Sequence, residues 1–203
     1  MKNEKGFTLL EMILVLTIIS LLMGILLPVA LGKIEEAKKL NARIQAERIY
    51  QAILDFYDDL GFFPMYVDGQ KAPGAAAGTY NILRSEKGAV PASLDPKWLI
   101  TEKADLIENH LITNQPGYKE RTGAPPSHGW NGPYLTDFLS PDRWGNKYYV
   151  NVEFLNEKGN PSERHRVWIL SAGPNEVIDT TYWQLQTTGH LGGDDIGLAI
   201  IHK

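Results

Sequence analysis

The sequence predicts an α+β protein: a long N-terminal α-helix, part transmembrane and part stalk, packed on a small antiparallel β-sheet headpiece. Three observations predict it. Residues 12–32 are 21 consecutive positions without a charge, almost all apolar. Residues 33–60 continue without a glycine or proline. Residues 148–154 alternate apolar and polar side chains ahead of a turn cluster and a second strand-like run. A helix followed by short strands is the pattern of a layered α+β domain rather than of alternating βαβ units.

The first element is the apolar run. As a helix its 21 residues span about 32 Å at about 1.5 Å per residue, enough to cross a hydrocarbon core of about 30 Å. A secretory signal has a shorter apolar region and a small-residue cleavage site, and Pro28-Val29-Ala30 is a poor one. A polar leader, Met-Lys-Asn-Glu-Lys-Gly, precedes the run, and one carboxylate, Glu11, stands at its start. An ionisable group in a membrane helix is costly and is normally paired. No cation lies within helical reach on its C-terminal side, so a partner outside the chain is implied. Gly24 and Pro28 weaken the helix between them, because proline removes a backbone hydrogen bond and crowds the carbonyl four residues back. A kink and a local loss of helicity are both compatible with that pair. Lysines flank the run on both sides, so the positive-inside rule alone does not orient it.

The stalk follows. Ile49, Ile53, Phe56, Tyr57 and Leu60 share one helical face, which should bury against the headpiece. Glu35 and Lys39 have the spacing of a supporting ion pair, and Gly61 and Pro64 end the helix. Asp58-Asp59 reads as a solvated helix end. Residues 65–96 read as a loop-rich interval containing Pro73-Gly-Ala-Ala-Ala-Gly, and 99–111 as a second helix. Residues 148–154 read as a strand, 156–161 as a turn cluster, 166–170 as the returning strand, and 196–201 as a third.

Composition limits the chemistry. The absence of cysteine excludes disulfides, thiol catalysis and thiolate metal sites. A net charge of -4 lacks the basic face that nucleic acid requires, so none is expected as a partner. Ser171 lacks the first glycine of a nucleophile elbow. The five histidines, His110, His128, His165, His190 and His202, form no H-E-x-x-H motif and read as surface or loop residues. No catalytic set emerges, and the chain is expected not to be an enzyme.

Gly6-Phe7-Thr8-Leu9-Leu10-Glu11 ahead of the apolar run resembles the class III signal of type IV pilins and type II secretion pseudopilins. The resemblance implies that a prepilin peptidase cuts between Gly6 and Phe7 and methylates the new amino terminus. The Phe7 amine would then be the missing partner of Glu11 on a neighbouring subunit. It implies four segments: a leader at 1–6, a transmembrane and filament-core helix at 7–32, a stalk at 33–61, and a periplasmic headpiece at 62–203. Trp130-Asn-Gly-Pro-Tyr-Leu135 and Pro141-Asp-Arg-Trp-Gly-Asn-Lys-Tyr-Tyr149 resemble the tract leading into the sheet of major, G-type pseudopilins. Ser171-Ala-Gly-Pro-Asn175-Glu-Val177 and Gly193-Asp-Asp-Ile-Gly197 resemble that family's calcium loop. By resemblance Asp194, Asp195 and the Asn175 side chain would bind calcium with the carbonyls of Ala172 and Val177, a mixed oxygen set of the kind calcium takes. Asn175 stands where the family usually has aspartate, a loss that Asp179 can offset. The loops at about 65–96, 103–129 and 178–192 are long for the family.

The resemblance implies a structural subunit of a periplasmic pseudopilus that drives type II secretion, anchored by one pass in the inner membrane. Its expected partners are further copies of itself in a helical filament, minor pseudopilins, the inner-membrane assembly platform and the prepilin peptidase. The alternatives are a type IV pilus or DNA-uptake pilin, and a membrane-anchored enzyme or binding domain.

Overall fold

The computed structural model describes residues 6–69, 78–123, 128–156, 160 and 162–200. Most of the leader, residues 73–77 of the Pro/Gly/Ala excursion, most of the 156–161 turn cluster, Ile201 and His202 lie outside them. The chain divides into two units after Lys38.

Helix α1, Leu9–Leu60, runs unbroken through Gly24 and Pro28. In the first unit every side chain from residue 6 to residue 34 is exposed. None of the apolar window in this helix is buried within the chain, and it is long enough to cross a membrane. An exposed apolar surface of this extent marks a segment that meets lipid or other helices rather than water. After Glu11, charge resumes only at residue 33, where Lys33 pairs with Glu36 at 2.7 Å. Glu35 pairs with Lys38 at 3.8 Å, one residue short of the expected Lys39.

In the second unit α1 buries Ala42, Ala46, Ile49, Ala52, Ile53, Phe56 and Leu60. The apolar face is thus the predicted one, widened by three alanines that let the helix lie close to its neighbours. Tyr57 departs from it: the side chain is 40% exposed and stacks on Phe63 with ring centroids 4.4 Å apart. Gly61, at φ +73°, ends the helix, with its N–H on the Tyr57 carbonyl. Asp58 is exposed, as a solvated helix end should be, but Asp59 is only partly so. It accepts from Arg121 at 3.0 Å and from the Tyr134 hydroxyl at 3.2 Å, tying the helix end to the 118–134 segment.

The main sheet has the order β3-β1-β4-β5-β7. Its strands are β1 (Ile82–Arg84), β3 (Ala104–Leu106), β4 (Tyr149–Val150), β5 (Val167–Ser171) and β7 (Ile196–Ile200). All neighbours are antiparallel except β1 and β3. A parallel two-stranded ladder joins β2 (Ala92–Ser93) to β6 (Val177–Ile178). Strand β5, paired on both edges by β4 and β7, is buried along its whole length.

Three sequence expectations need correction. The interval 65–96 contains β1 and β2. The helix expected at 99–111 is instead a 3₁₀ turn (Pro96–Leu99), strand β3, and a π-type turn (Asn109–Thr113). The strand expected at 148–154 stops at Val150. Asn151 turns its side chain to the ladder, its Oδ1 accepting the Trp168 N–H and its Nδ2 donating to the Arg166 carbonyl. The chain then coils into a 3₁₀ turn, Val152–Asn156, that buries Val152, Phe154 and Leu155 together. The core these elements enclose includes Trp98, Tyr118, Tyr148, Tyr149, Trp168 and Tyr182.

Candidate functional site

At the amino-terminal end Gly6 and Phe7 are exposed, Phe7 by 83%. Thr8 caps α1. The Glu11 N–H donates to Thr8 Oγ1 at 3.3 Å, while Glu11 Oε2 accepts from the Thr8 N–H at 2.8 Å and from its hydroxyl at 2.9 Å. This reciprocal arrangement satisfies donors that a helix start leaves without partners. Thr8-Leu-Leu-Glu11 is a capping-box spacing, a signal present in the sequence that the reading of Glu11 as an unpartnered carboxylate passed over. The carboxylate is hydrogen-bonded within its own chain, but among the described residues no cation pairs with it.

In the headpiece the segments 171–180 and 192–195 lie against each other. Gly173, at φ +67°, and Gly193, at φ +47°, are required there: a Cβ on the first would collide with the Asp194 carbonyl, and on the second with the Asp179 carboxylate. Asp194 Oδ2 accepts the Asn175 N–H at 3.1 Å. Asp195 Oδ2 accepts from the N–H groups of Asp179 (3.0 Å) and Thr180 (2.7 Å) and from the Thr180 hydroxyl (2.6 Å). Asn175 Nδ2 donates to Asp179 Oδ2 at 2.8 Å, and its Oδ1 accepts the Val177 N–H at 2.8 Å. Val177 begins β6 and Ala172 is fully buried just past β5.

The structure therefore brings Asp194, Asn175, Val177 and Asp179 onto one turn, while Asp195 grips its far end at 179–180. Thr180 is the contributor the sequence did not reveal, because a lone threonine in a loop carries no pattern. Two oxygens, Asp194 Oδ1 and Asp195 Oδ1, are buried without a hydrogen-bond partner. A buried acceptor in that state carries its full desolvation cost. Burial, with the charge of Asp179 adding to it and the Thr180 hydrogen bonds opposing, pushes the Asp195 carboxyl up to about 6. Among the described residues no three His, Asp or Glu side chains gather at one point.

Other sequence candidates take structural places. Ser171 is fully buried, donates to Asp142 Oδ2 at 2.6 Å and accepts the Gly173 N–H. His110 is not a surface residue. It is fully buried, with Nδ1 2.6 Å from the Tyr118 hydroxyl and Nε2 3.2 Å from Asp105 Oδ2. Burial holds its pKa down, against the pull of Asp105.

Residues 1–27 match the family model described as the prokaryotic N-terminal methylation motif, the motif of prepilin-type proteins. No curated protein and no solved structure matches the chain.

Proposed function

We propose that this chain is a pilin-type structural subunit, specifically a pseudopilin of a type II secretion system, and not an enzyme. One observation carries the reading: the methylation motif sits at the head of a helix whose entire apolar length is exposed. A helix of that kind waits in a bilayer as a single-pass anchor and becomes filament core when subunits associate. The headpiece then lies in the periplasm. The assignment to secretion rather than to a surface pilus rests on the 130–149 tract and the 171–197 loop, whose sequences resemble the major pseudopilin.

Under this reading Gly6 and Phe7 form the processing site and Glu11 recruits the next subunit through the new Phe7 amine. The capping box gives that step a concrete local form. Cleavage gives each subunit a cationic Phe7 amine, while the Thr8 cap holds the Glu11 carboxylate at the start of the helix, where the amine of a neighbouring subunit would meet it. Intact mass of membrane-extracted protein tests the processing. The expected species begins at a methylated Phe7, and a protein that keeps residues 1–6 overturns the reading. Glu11→Ala should be cleaved and inserted normally while filament formation or secretion falls. Normal assembly of that variant removes the pairing role.

Calcium in the 171–197 loop is part of the proposal. The buried, unpartnered oxygens of Asp194 and Asp195 fit a cation, and a hard cation accepts a mixed set of carboxylate, amide and carbonyl oxygens. Asp194, Asp195, Asn175 and the Ala172 and Val177 carbonyls would hold it, with Asp179 alongside. When bound, the ion would supply a structural clip between loop ends in a chain that has no disulfide.

A further inference from the structure

The loop between Asp179 and Gly192 borders a pocket of about 370 Å³ that shares Asp179 with the calcium reading and is otherwise used by neither it nor the methylation motif. It is at the lower end of the size range of small-ligand sites, roughly 300–1,000 Å³. Its wall carries Trp183, which is 45% exposed. The indole is not loose. Phe154, His165 and Tyr182 contact it with ring centroids 5.1, 5.2 and 5.9 Å away, and the Lys97 ammonium lies 5.2 Å from its centroid. Leaving a large aromatic half in water forgoes burial, whereas fixing its orientation lowers the entropic cost of receiving a ligand.

Besides Leu185 and two glycines, the remaining lining is polar and of mixed donor and acceptor character. Thr181 and Thr188 bring hydroxyls, each able to donate and accept. Gln184 accepts the His190 N–H on Oε1 at 2.7 Å, which fixes the orientation of its amide. Asp179 is the one carboxylate in the wall and has one oxygen engaged by Asn175. No lysine or arginine lines the pocket; Lys97 sits on the Trp183 ring instead. A single negative group and no cation disfavour phosphate, sulfate or carboxylate ligands. One aromatic wall is too few for a quaternary-ammonium cage. The chemistry that matches a flat aromatic beside hydroxyls and amides is a pyranose ring. Its C–H face would lie against the side of the indole that the Lys97 ammonium does not cover, and its edge hydroxyls need both donors and acceptors.

We propose that this pocket is a binding site for a neutral saccharide, with Trp183 as stacking platform and Thr181, Gln184, Thr188 and His190 as hydrogen-bonding groups. The proposal does not depend on the pseudopilin reading, since it rests on the loop's own geometry. An N-acetylated glycan and a plain glucan share the stacking chemistry and differ in the amide.

Saturation-transfer difference NMR on the full-length protein, in an amine-oxide detergent without a sugar headgroup, tests it with chitotriose and cellotriose as separate probes. Transfer to the ring protons of either glycan is expected. A response to chitotriose alone assigns an N-acetylated ligand, and a response to cellotriose alone a plain one. Trp183→Ala should weaken binding roughly tenfold or more, the loss expected when a central aromatic anchor is truncated, whereas Trp183→Phe should keep the larger part. Near-UV circular dichroism reports whether the alanine variant folds. Should it not fold, Thr188→Val, which keeps the side-chain shape, takes its place with the same expectation of weakened binding. No transfer to either glycan from the wild-type protein overturns the proposal, as does undiminished binding in the folded variant.

Discussion

Glu108 shows what one residue can fasten. It is a fully buried carboxylate whose two oxygens accept the N–H groups of Glu86 (3.0 Å) and Leu139 (3.2 Å), joining the end of β1 to the segment before β4. Burial raises its pKa above the ordinary glutamate value; backbone N–H donors pull it down, and the Glu86 carboxylate adds to the rise. A carboxyl raised in the fold stabilises fully below its unfolded pKa, near 4.5, and that contribution is lost as pH rises through the folded value. Glu108→Gln removes the charge but keeps one acceptor, because its amide nitrogen cannot take the second N–H. The variant should be less stable than wild type in acid by about 1–3 kcal/mol, and the deficit should shrink above about pH 4.5, the ordinary glutamate range. Urea midpoints of both proteins across the pH range read this directly. Parallel curves would show that Glu108 does not set the pH dependence. Glu108→Ala should destabilise at every pH, since each of the two stranded N–H groups costs about 1–3 kcal/mol.

At the scale of elements, legibility followed length. Helix α1 was readable because its apolar face repeats over several turns, although Tyr57 left that face to stack on Phe63. Strands β1, β2, β3, β4 and β6 hold two or three residues each, too few for an alternation to show. Around β4 side chains take ladder hydrogen bonds, Ser85 from the Tyr148 N–H and Asn151 from the Trp168 N–H, which no periodicity records. The site divides the same way. Glu11, Asp194 and Asp195 stand out as charges in apolar or glycine-rich settings, whereas the Thr8 cap and the Thr180 donors are ordinary residues made important by geometry. Asn151 is the sharpest case, since it ends β4 and supports β5 in one step. Its Nδ2 donates to the Arg166 carbonyl at 3.1 Å and lies 3.4 Å from the Tyr182 carbonyl, while Oδ1 takes the Trp168 N–H. Asn151→Ala strands a buried N–H and two carbonyls. A loss of about 3 kcal/mol or more in unfolding free energy is expected at roughly 1–3 kcal/mol per unsatisfied group, measured by urea unfolding. A loss below about 1 kcal/mol, within the range of an ordinary surface change, would mean that water replaces the amide.

At the scale of the molecule, the chain spends its apolar surface unevenly. Before Lys38 nothing from residue 6 to residue 34 is buried, and after it a headpiece of very short strands depends on loops for closure. Disulfides, the common staple for such loops, are absent. The 171–197 region is where another staple is needed most. The end of β5, the whole of β6 and the start of β7 meet there, and Asp194 and Asp195 each leave an oxygen buried without a partner. A cation that binds only the folded state stabilises by mass action, about 2.7 kcal/mol at a hundredfold excess over its dissociation constant. The full-length protein in detergent should therefore melt higher with calcium than with chelator. Magnesium should substitute poorly because it demands a tighter octahedral shell. All five tryptophans lie beyond residue 90, so tryptophan fluorescence follows the headpiece alone. Asp195→Ala removes three hydrogen bonds as well as a ligand, so its overall stability is not the readout. The difference between calcium and chelator is, and it should vanish. Asn175→Asp should enlarge that difference by restoring a charge at the turn that already touches Asp194 and Asp179. Equal melting of metal-free protein with and without calcium would leave the two buried oxygens to water, and the loop an acidic turn held by Thr180 and Asn175.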